Sequence, residues 1–311
     1  MKAILVIRPG AIGDALLTFP VLKALKEDNT GTHITLVSNA QVLPLALAFG
    51  IAEQTFDFQD IQWSELFSTT GIRTSFMRGL LEQTDLAICW MRDPDGIIEH
   101  NLKTSGVKHI IAPGRPSEGE RVHIVDYLAH TVGLPGVRAQ FSTLSSLQNV
   151  DPTSKDITNR FVAIHPGSGA VQKCWPVSRF GTVVKRLWEQ NRPVLLLAGP
   201  ADIERIDDLL QQLSSPPTPA MFKILTNAPL LEVARHLQQC MCYLGNDSGI
   251  THLAAMLGIP TVAIFGPTDP AIWRPMGPSV KVIHEGALEG VSVDFVMKAI
   301  YETGIANLIY R

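Results

Sequence analysis

Short runs of apolar residues recur along the chain, and amphipathic or turn-rich stretches separate them. Their hydrophobicity is continuous rather than alternating, which is typical of strands that are buried on both faces of a sheet. The stretches between them alternate with the runs as in parallel α/β units. We therefore predict strands at 4–7, 34–37, 86–89 and 109–112, and again at 161–164, 194–198, 222–225, 241–244, 261–265 and 280–283.

A polar stretch at about 135–160, rich in turn-forming residues, separates the two sets of runs. It predicts a linker between two Rossmann-like α/β domains, one over 1–150 and one over 151–290. Amphipathic stretches predict helices at 15–27, 177–190, 251–257 and 291–302. A terminal helix over about 290–311 is placed so that it can pack back onto the first domain.

Composition narrows the function classes. The 311 residues are 46% hydrophobic and 18% charged, with a formal net charge of -3. This balance argues against nucleic acid as a partner, because broad nucleic-acid binding needs dense Lys and Arg. The four cysteines have neither zinc nor disulfide-scaffold spacing, and no apolar run approaches the roughly 20 residues that cross a bilayer. We expect a cytoplasmic protein, at most peripheral to a membrane.

Ligands on open parallel sheets bind beyond the carboxyl ends of the strands, so the loops after the apolar runs are the candidate sites. The first loop carries Gly10, Gly13 and Asp14 before a helix. A carboxylate at a helix start is kept ionised by the helix dipole and can accept a proton from a hydroxyl. The alternative is that Asp14 only stabilises the helix end. The glycine spacing departs from the dinucleotide-binding fingerprint, which disfavours a dehydrogenase.

The loop after 161–164 runs from His165 to Pro176 and contains Ser168, Gly169 and Lys173. Backbone N–H groups at small residues, a hydroxyl and a lysine amine together form a plausible phosphate cradle. It is not a P-loop, because the Gly-Lys-Ser/Thr ending is absent. The alternative is an ordinary loop with a surface lysine.

Asp202 follows the run at 194–198 and is a candidate for binding ribose hydroxyls, or else a helix N-cap. Farther along, the segment Gly245-Asn246-Asp247-Ser248-Gly249-Ile250-Thr251-His252 leads into a helix. A capped helix start presents free N–H groups and the positive end of the dipole, which suits an anion. His252 can donate to a phosphate there, or be a packing histidine.

Two further loops complete the set. Gly266 and Thr268 are able to approach the same phosphates or a sugar, unless they form only a rigid Pro-bounded turn. The Asp93-Pro94-Asp95 sequence matches the Asp-x-Asp signature of metal-dependent glycosyltransferases of another architecture. It follows a predicted strand, contains proline and precedes Gly96, so we interpret it as a turn.

In their order and spacing, these loops resemble those of glycosyltransferase family 9, the ADP-heptose:lipopolysaccharide heptosyltransferases. The resemblance covers nearly the whole chain and is most specific at 246–252 followed by 265–270. It implies a GT-B fold, with two Rossmann-like domains facing each other across a cleft. It also implies an inverting single displacement without a metal or other cofactor. The first domain would bind the acceptor and the second the nucleotide sugar.

The resemblance also assigns roles to residues. Asp14 would be the catalytic base, Asp202 would bind the ribose, and Arg8 and Gly13 would contact the acceptor. The family often has Thr at 168 and 248, where this chain keeps a hydroxyl as Ser, and Glu near 202. The donor diphosphate and sugar would be held by Ser168, Gly169, Lys173, Asp247, Ser248, Gly249, His252, Gly266 and Thr268.

The implied partners are a nucleotide-sugar donor and an anionic glycolipid acceptor at the inner membrane surface. Such an acceptor favours a basic site, for which the first half offers scattered candidates. Two alternatives stay open: a transferase or epimerase of the same fold with another nucleotide sugar, and a relative that binds nucleotide sugar without catalysis. The candidate basic residues are Arg8, Arg73, Arg78, Lys103, Arg115 and Arg121.

Overall fold

The computed structural model of the protein describes residues 2–141, 143–144, 147 and 160–305. The chain divides into two compact units, Met1–Phe141 and Ser142–Arg311. Most of the predicted linker at 135–160 lies outside the described residues. No described helix is both long enough and apolar enough to cross a membrane.

The first unit is built on a parallel sheet in the order β3-β2-β1-β4-β5. The central strands are Val-, Ile- and Leu-rich and buried on both faces, as their continuous apolar runs predicted. One core cluster packs Trp63, Met77 and Leu102 against one face of this sheet. The strands are β1 (Ala3–Ile7), β2 (His33–Ser38), β3 (Gln54–Asp57), β4 (Leu86–Trp90) and β5 (Lys108–Ala112).

The helices of the first unit connect these strands. The stretch predicted as one helix at 15–27 forms two, because Pro20 lacks the N–H that would continue the first and instead lies in the first turn of the second. The helices are α1 (Ile12–Leu16), α2 (Phe19–Asp28), α3 (Leu43–Ala48), α4 (Ser75–Glu82), α5 (Ile97–Thr104), α6 (Ile124–Thr131) and α7 (Val137–Gln140), with a 3₁₀ segment at Ile61–Phe67.

The second unit has a parallel sheet in the order β11-β10-β9-β6-β7-β8. Its strands β6, β9 and β10 are fully buried. Their apolar residues join one large core with the helices Val177–Glu189 and Val293–Ile300. The strands are β6 (Val162–His165), β7 (Val194–Ala198), β8 (Phe222–Thr226), β9 (Cys242–Asn246), β10 (Thr261–Ile264) and β11 (Val280–Ile283).

The helices of this unit include the terminal segment. α13 contacts α8, β9 and β10, and it continues into a π-helical turn at Tyr301–Ile305. The rest of the predicted terminal helix, 306–311, is outside the described part of the chain. The helices are α8 (Val177–Glu189), α9 (Ile203–Gln212), α10 (Leu230–Leu237), α11 (Gly249–Met256), α12 (Pro270–Trp273) and α13 (Val293–Ile300).

The predicted alternation of strands and helices is confirmed, with two differences. β3 was not predicted, because it is a short edge strand of mixed polarity whose residues are only partly buried. β8 was predicted from its apolar run as a strand buried on both faces, yet it is the edge strand of its sheet and largely exposed. An edge strand lacks one neighbour, so hydrophobicity alone does not reveal its position.

Candidate functional site

The strand order places the candidate loops at the positions where open parallel sheets bind ligands. Such sheets bind beyond the carboxyl ends of their strands, where the strand order reverses. In the first sheet this reversal lies between β1 and β4, and Asp14 follows β1 directly. In the second sheet it lies between β6 and β9, which are followed by Ser168 and Asp247.

In the first unit, Asp14 is held by two donors. Arg8 Nη2 lies 2.9 Å from Asp14 Oδ1, and the N–H of Ala11 donates to Asp14 Oδ2 over 3.1 Å. The side chain of Asp14 is one third exposed, whereas that of Arg8 is buried. Both predicted roles of Asp14 are therefore compatible with its position: it stabilises the start of α1, and its carboxylate faces solvent.

Arg8 is held by the surrounding backbone as well as by Asp14. Its Nη1 donates to the carbonyl of Trp90 over 3.2 Å, and a Cβ added to Gly114 would lie only 1.7 Å from that nitrogen. Burial lowers the pKa of Arg8 from its ordinary value, while the charge of Asp14 opposes that shift. The guanidinium is thus positioned to orient Asp14, and Gly114 leaves the space that it occupies.

In the second unit, Asp247 joins two of the predicted site residues. Lys173 Nζ lies 2.8 Å from Asp247 Oδ2, and His252 Nε2 lies 3.9 Å from Asp247 Oδ1. Asp247 and His252 are buried, but the lysine side chain is one third exposed. The hydroxyl of Ser168 donates to the backbone carbonyl of Asp247 over 2.7 Å, which ties the β6 loop to the β9 loop. The ammonium is therefore fixed in place while part of it remains accessible.

The start of α11 is capped, as predicted. Ser248 is the N-cap, and its Oγ accepts from the N–H of Thr251 over 3.4 Å. The hydroxyl of Thr251 in turn contacts the Tyr243 hydroxyl and donates to the carbonyl of Asn246. The N–H groups of the first helical turn lack helical partners and carry the positive end of the helix dipole. This end of α11 suits an anion.

Asp202 is fixed by hydrogen bonds to two neighbouring loops of the second unit. It is buried, and its Oδ2 accepts from His165 Nε2 over 2.9 Å and from the Gly199 N–H over 2.8 Å. Burial favours the neutral acid, but these bonds and the charge of Arg205 outweigh it and lower the pKa of Asp202. Asp202 stands at the N-cap position of α9 without bonding to that helix. These contacts give Asp202 a role in orienting His165, and its predicted contact with a ribose stays a prediction.

The remaining predicted loops are structured by local contacts. Gly266 lies against Leu288, so that a Cβ there would come within 2.9 Å of the leucine side chain. Thr268 is half-buried just before Asp269, which caps α12. The interpretation of Asp93-Pro94-Asp95 as a turn is confirmed, since the Asp93 carboxylate accepts from two N–H groups at the start of α5.

Two residues matter more than their sequence context indicated. The Asn246 side chain accepts from the Trp175 N–H over 2.9 Å and donates to the carbonyls of Pro166, over 2.7 Å, and Gly167, over 3.2 Å. His165 links Asp202 to Ser248, whose Oγ lies 3.4 Å from His165 Nδ1. Both act between loops that are distant in sequence. Polar residues directly after buried strands were the available signal, because such residues need partners.

Metal ligands do not converge within the part of the chain that the structure describes. No group of three or more His, Cys, Asp or Glu side chains there is arranged to hold a metal ion. In the second unit, the Lys173 amine and the start of α11 are two features that suit an anion.

Comparison with known proteins shows which class of enzyme this fold belongs to. The solved structure of the ADP-heptose lipopolysaccharide heptosyltransferase II of E. coli matches with a TM-score of 0.76 and 20% identity, covering 99% of this chain and 100% of that one. The chain thus has the α/β architecture of the GT-B glycosyltransferases, with two Rossmann-like units. The sequence profile described as glycosyltransferase family 9 (heptosyltransferase) matches residues 121–302. The protein belongs to this family and is a glycosyltransferase.

Curated relatives agree. A lipopolysaccharide heptosyltransferase 3 of Escherichia coli is 30% identical over 121 residues, which are 38% of this chain and 35% of that protein. Another protein of the same name, from E. coli strain K12, is 22% identical over 292 residues, covering 85% of this chain and 82% of that protein. The 30% identical match therefore spans about a third of that relative, whereas the match to the strain K12 protein covers most of its length.

Proposed function

We propose that the protein transfers a heptose from ADP-heptose to a hydroxyl of a lipopolysaccharide-core acceptor, with inversion and without a metal. The proposal is carried by two features that follow β6 and β9, the strands between which the strand order reverses. One is a fixed ammonium that remains partly accessible, and the other is a capped helix start. Lys173 provides the first and α11 the second. A diphosphate leaving group requires stabilisation of this kind as its bond to the sugar breaks.

In this reaction the second unit, which contains the domain expected over 151–290, binds the donor. The Lys173 amine and the N–H groups of the first turn of α11 would hold the diphosphate, with Ser168, Gly169 and His252 around it. Fixed donors of this type stabilise developing negative charge without a metal ion, because they do not need to reorient during the reaction. Gly266 and Thr268 are proposed to approach the sugar.

The first unit, which forms most of the domain expected over 1–150, is proposed to bind the acceptor and to supply the base. The Asp14 carboxylate would remove the proton from the attacking hydroxyl, and Arg8 would orient it through their 2.9 Å contact. Gly13, within the same helix, is proposed to contact the acceptor beside Asp14. We further propose that the acceptor is an anionic glycolipid, reached by a cytoplasmic enzyme at the inner face of the inner membrane.

The names of its relatives support these choices of donor and acceptor. The structurally similar E. coli protein is an ADP-heptose lipopolysaccharide heptosyltransferase, and the curated relatives are lipopolysaccharide heptosyltransferases. The identities are low, so the donor and acceptor require direct measurement. A nucleotide-sugar assay on the purified full chain provides it.

The experiment supplies a deacylated lipopolysaccharide-core acceptor with either ADP-heptose or UDP-sugars as donor, with and without EDTA. It follows release of the nucleoside diphosphate, and NMR identifies the product. We expect transfer that EDTA leaves unchanged and a product of inverted anomeric configuration. Loss of activity with EDTA that added metal restores would contradict the metal-independent mechanism. Transfer only from UDP-sugars, epimerisation of the donor without transfer, or binding without turnover would each support one of the alternative functions instead.

A further inference from the structure

A polar groove lies on the first unit between the second halves of α4 and α5. Arg78 and Glu82 line it from α4, and Asn101 and Thr104 line it from α5. Helices that connect parallel strands run antiparallel to them, so their carboxyl-terminal halves lie toward the opposite sheet edge from Asp14. The groove has a volume of about 560 Å³, within the usual range of small-molecule sites of about 300–1,000 Å³. It is therefore separate from the candidate catalytic loop.

An acceptor atom that has no hydrogen-bond partner in the described part of the chain and retains solvent access faces this groove. Asn101 is only 2% exposed, and its Nδ2 donates to the carbonyls of Glu65, Leu66 and Ser68 at 3.2, 3.1 and 3.0 Å. These three acceptors fix which end of the amide is nitrogen, so the oxygen points the other way. Asn101 Oδ1 accepts no hydrogen bond from the described residues. A largely buried acceptor of this kind favours a ligand that donates.

The backbone leaves this oxygen accessible. Gly71 lines the groove with a φ of +77°, and a Cβ at that position would lie 3.9 Å from Asn101 Oδ1. A larger residue would both strain the backbone and reduce the space in front of the oxygen. Glycine at this position therefore keeps the acceptor open to a bound molecule.

Two hydroxyl groups of the groove, those of Thr104 and Ser105, are also acceptors. Thr104 Oγ1 donates its proton to the carbonyl of His100, and Ser105 Oγ donates to the carbonyl of Asn101 over 2.8 Å. Because each hydroxyl has one proton, these oxygens can only accept from a ligand. The Glu82 carboxylate is a further acceptor on the wall.

Donors in the groove are fewer. Arg78 uses its Nε on the carbonyl of Ile72, over 3.4 Å, and its charge acts on the nearby Glu65 carboxylate, while its Nη groups make no hydrogen bond to the described residues. The His100 ring is likewise without a hydrogen-bond partner there. The groove therefore offers many acceptors, a few donors, one guanidinium and one carboxylate. A ligand that carries a strong charge of either sign would meet a group of the same sign.

We propose that this groove binds a neutral polyhydroxylated ligand, a saccharide of one or two rings. Its O–H groups would donate to Asn101 Oδ1 and to the hydroxyl oxygens, and its own oxygens would accept from Arg78. Leu81 and Ile72 also line the groove and provide apolar surface for the C–H faces of a sugar. A phosphate ion is chiefly an acceptor and cannot satisfy these acceptors, and an amine cation would face Arg78.

The test is saturation-transfer NMR on the full chain with glucose, galactose, N-acetylglucosamine and maltose as probes. Two variants, Thr104→Trp and Arg78→Ala, change the groove itself, and Lys103→Trp is the control. Thr104→Trp fills the groove from α5, and Lys103→Trp puts the same side chain on the neighbouring exposed position, which does not line it. Arg78→Ala removes the main donor. We expect at least one saccharide to bind, Thr104→Trp to abolish the signal, Lys103→Trp to preserve it, and Arg78→Ala to weaken binding about 10-fold.

Thermal melting of each variant shows whether it is folded, and if Thr104→Trp is not, Arg78→Ala alone decides. Sodium phosphate and putrescine are added as competitors at equal concentration, and neither should displace the sugar. The proposal is overturned if no saccharide binds, if binding persists unchanged in Thr104→Trp and Arg78→Ala, or if phosphate competes as well as a second sugar does. It does not depend on the donor chemistry, so failure of the glycosyl-transfer assay leaves its test intact.

Discussion

His165 Nε2 lies 2.9 Å from Asp202 Oδ2, and both side chains are buried. Because the carboxylate can only accept, Nε2 carries the proton, and in the neutral imidazole Nδ1 is then an acceptor toward the Ser248 hydroxyl, 3.4 Å away. A residue expected at a ribose thus anchors the β6 loop to the N-cap of α11. This contact sets the position of the helix start that we propose for the diphosphate.

Replacing Asp202 with Asn should destabilise the protein by about 1–3 kcal/mol at neutral pH, because a buried charge-assisted hydrogen bond is weakened. The pKa of Asp202 is lowered in the folded state, so the unfolded chain takes up its proton first. The stabilisation is therefore complete above about pH 4, the unfolded-state value, and is lost as the pH falls through the lower folded value. Urea unfolding followed by tryptophan fluorescence at pH 7, 5 and 3.5 measures this.

The matched control is Asp207→Asn, which changes an exposed carboxylate on α9. It should leave the free energy of unfolding within about 0.5 kcal/mol of the parent value. A difference between Asp202→Asn and the parent that stays constant down to pH 3.5 would contradict the linkage to this carboxylate.

Gly167→Ala should also disturb the contact between Asp202 and His165, because Gly167 lies against the other carboxylate oxygen of Asp202. A Cβ at Gly167 would lie 1.8 Å from Asp202 Oδ1, so the carboxylate or the loop must move. We expect a loss of about 1–3 kcal/mol in stability, as for other overpacked sites. Gly169→Ala is the control, since its added Cβ would meet no atom within 4 Å. Equal thermal-melting temperatures for the two variants would show that the packing around Asp202 is not tight.

Asn246→Asp should be the most destabilising substitution in the β9 loop. Its amide nitrogen donates to the carbonyls of Pro166 and Gly167 in a fully buried position. A carboxylate would place a charged oxygen against those carbonyls, and an uncompensated buried charge costs about 3–5 kcal/mol. Asn227→Asp, on an exposed residue, is the control for thermal melting. If both variants melt at the parent temperature, Asn246 does not hold the two loops together.

These contacts explain how far the sequence predicts the site. The position of the loops after 4–7, 161–164 and 241–244 was predicted, because polar and glycine residues follow apolar runs, and the structure has these runs as buried parallel strands. The partners were not found. Asp202 meets His165 37 positions away and Asn246 meets Pro166 80 positions away, and no local pattern encodes which strands become neighbours. The same limit applies to Arg8, whose burial depends on Gly114.

Asp14→Asn tests the proposed base. A general base typically contributes about 10²–10⁴-fold to the rate, so we expect kcat to fall by that factor. The affinity for ADP should stay within about twofold, because Asp14 belongs to the first unit and the proposed diphosphate contacts to the second. Steady-state kinetics and calorimetry with ADP separate the two effects. Asp60→Asn, an exposed carboxylate of the same unit, should change neither, and a fully active Asp14→Asn enzyme would refute the assignment.

Lys173→Gln tests the proposed diphosphate contact. A hydrogen bond to a charged group contributes about 1.5–3 kcal/mol, so the Kd for ADP should rise about 10-fold or more. The Kd for adenosine should not change, because it lacks the phosphates. Lys185→Gln, on the exposed face of α8, is the matched control. Calorimetry that finds equal ADP affinities for the two variants would place the diphosphate elsewhere.

The same substitution also removes the ion pair to the buried carboxylate of Asp247, so stability and binding must be separated. Lys173→Gln alone should lower the melting temperature without ligand, because Asp247 loses its nearest cation. Adding Asp247→Asn removes the uncompensated charge, and the double variant should regain most of that stability. Its affinity for ADP should nevertheless stay low, since the ammonium is still absent. If the double variant instead recovered ADP binding together with stability, Lys173 would act only by neutralising Asp247 and not by contacting the phosphates.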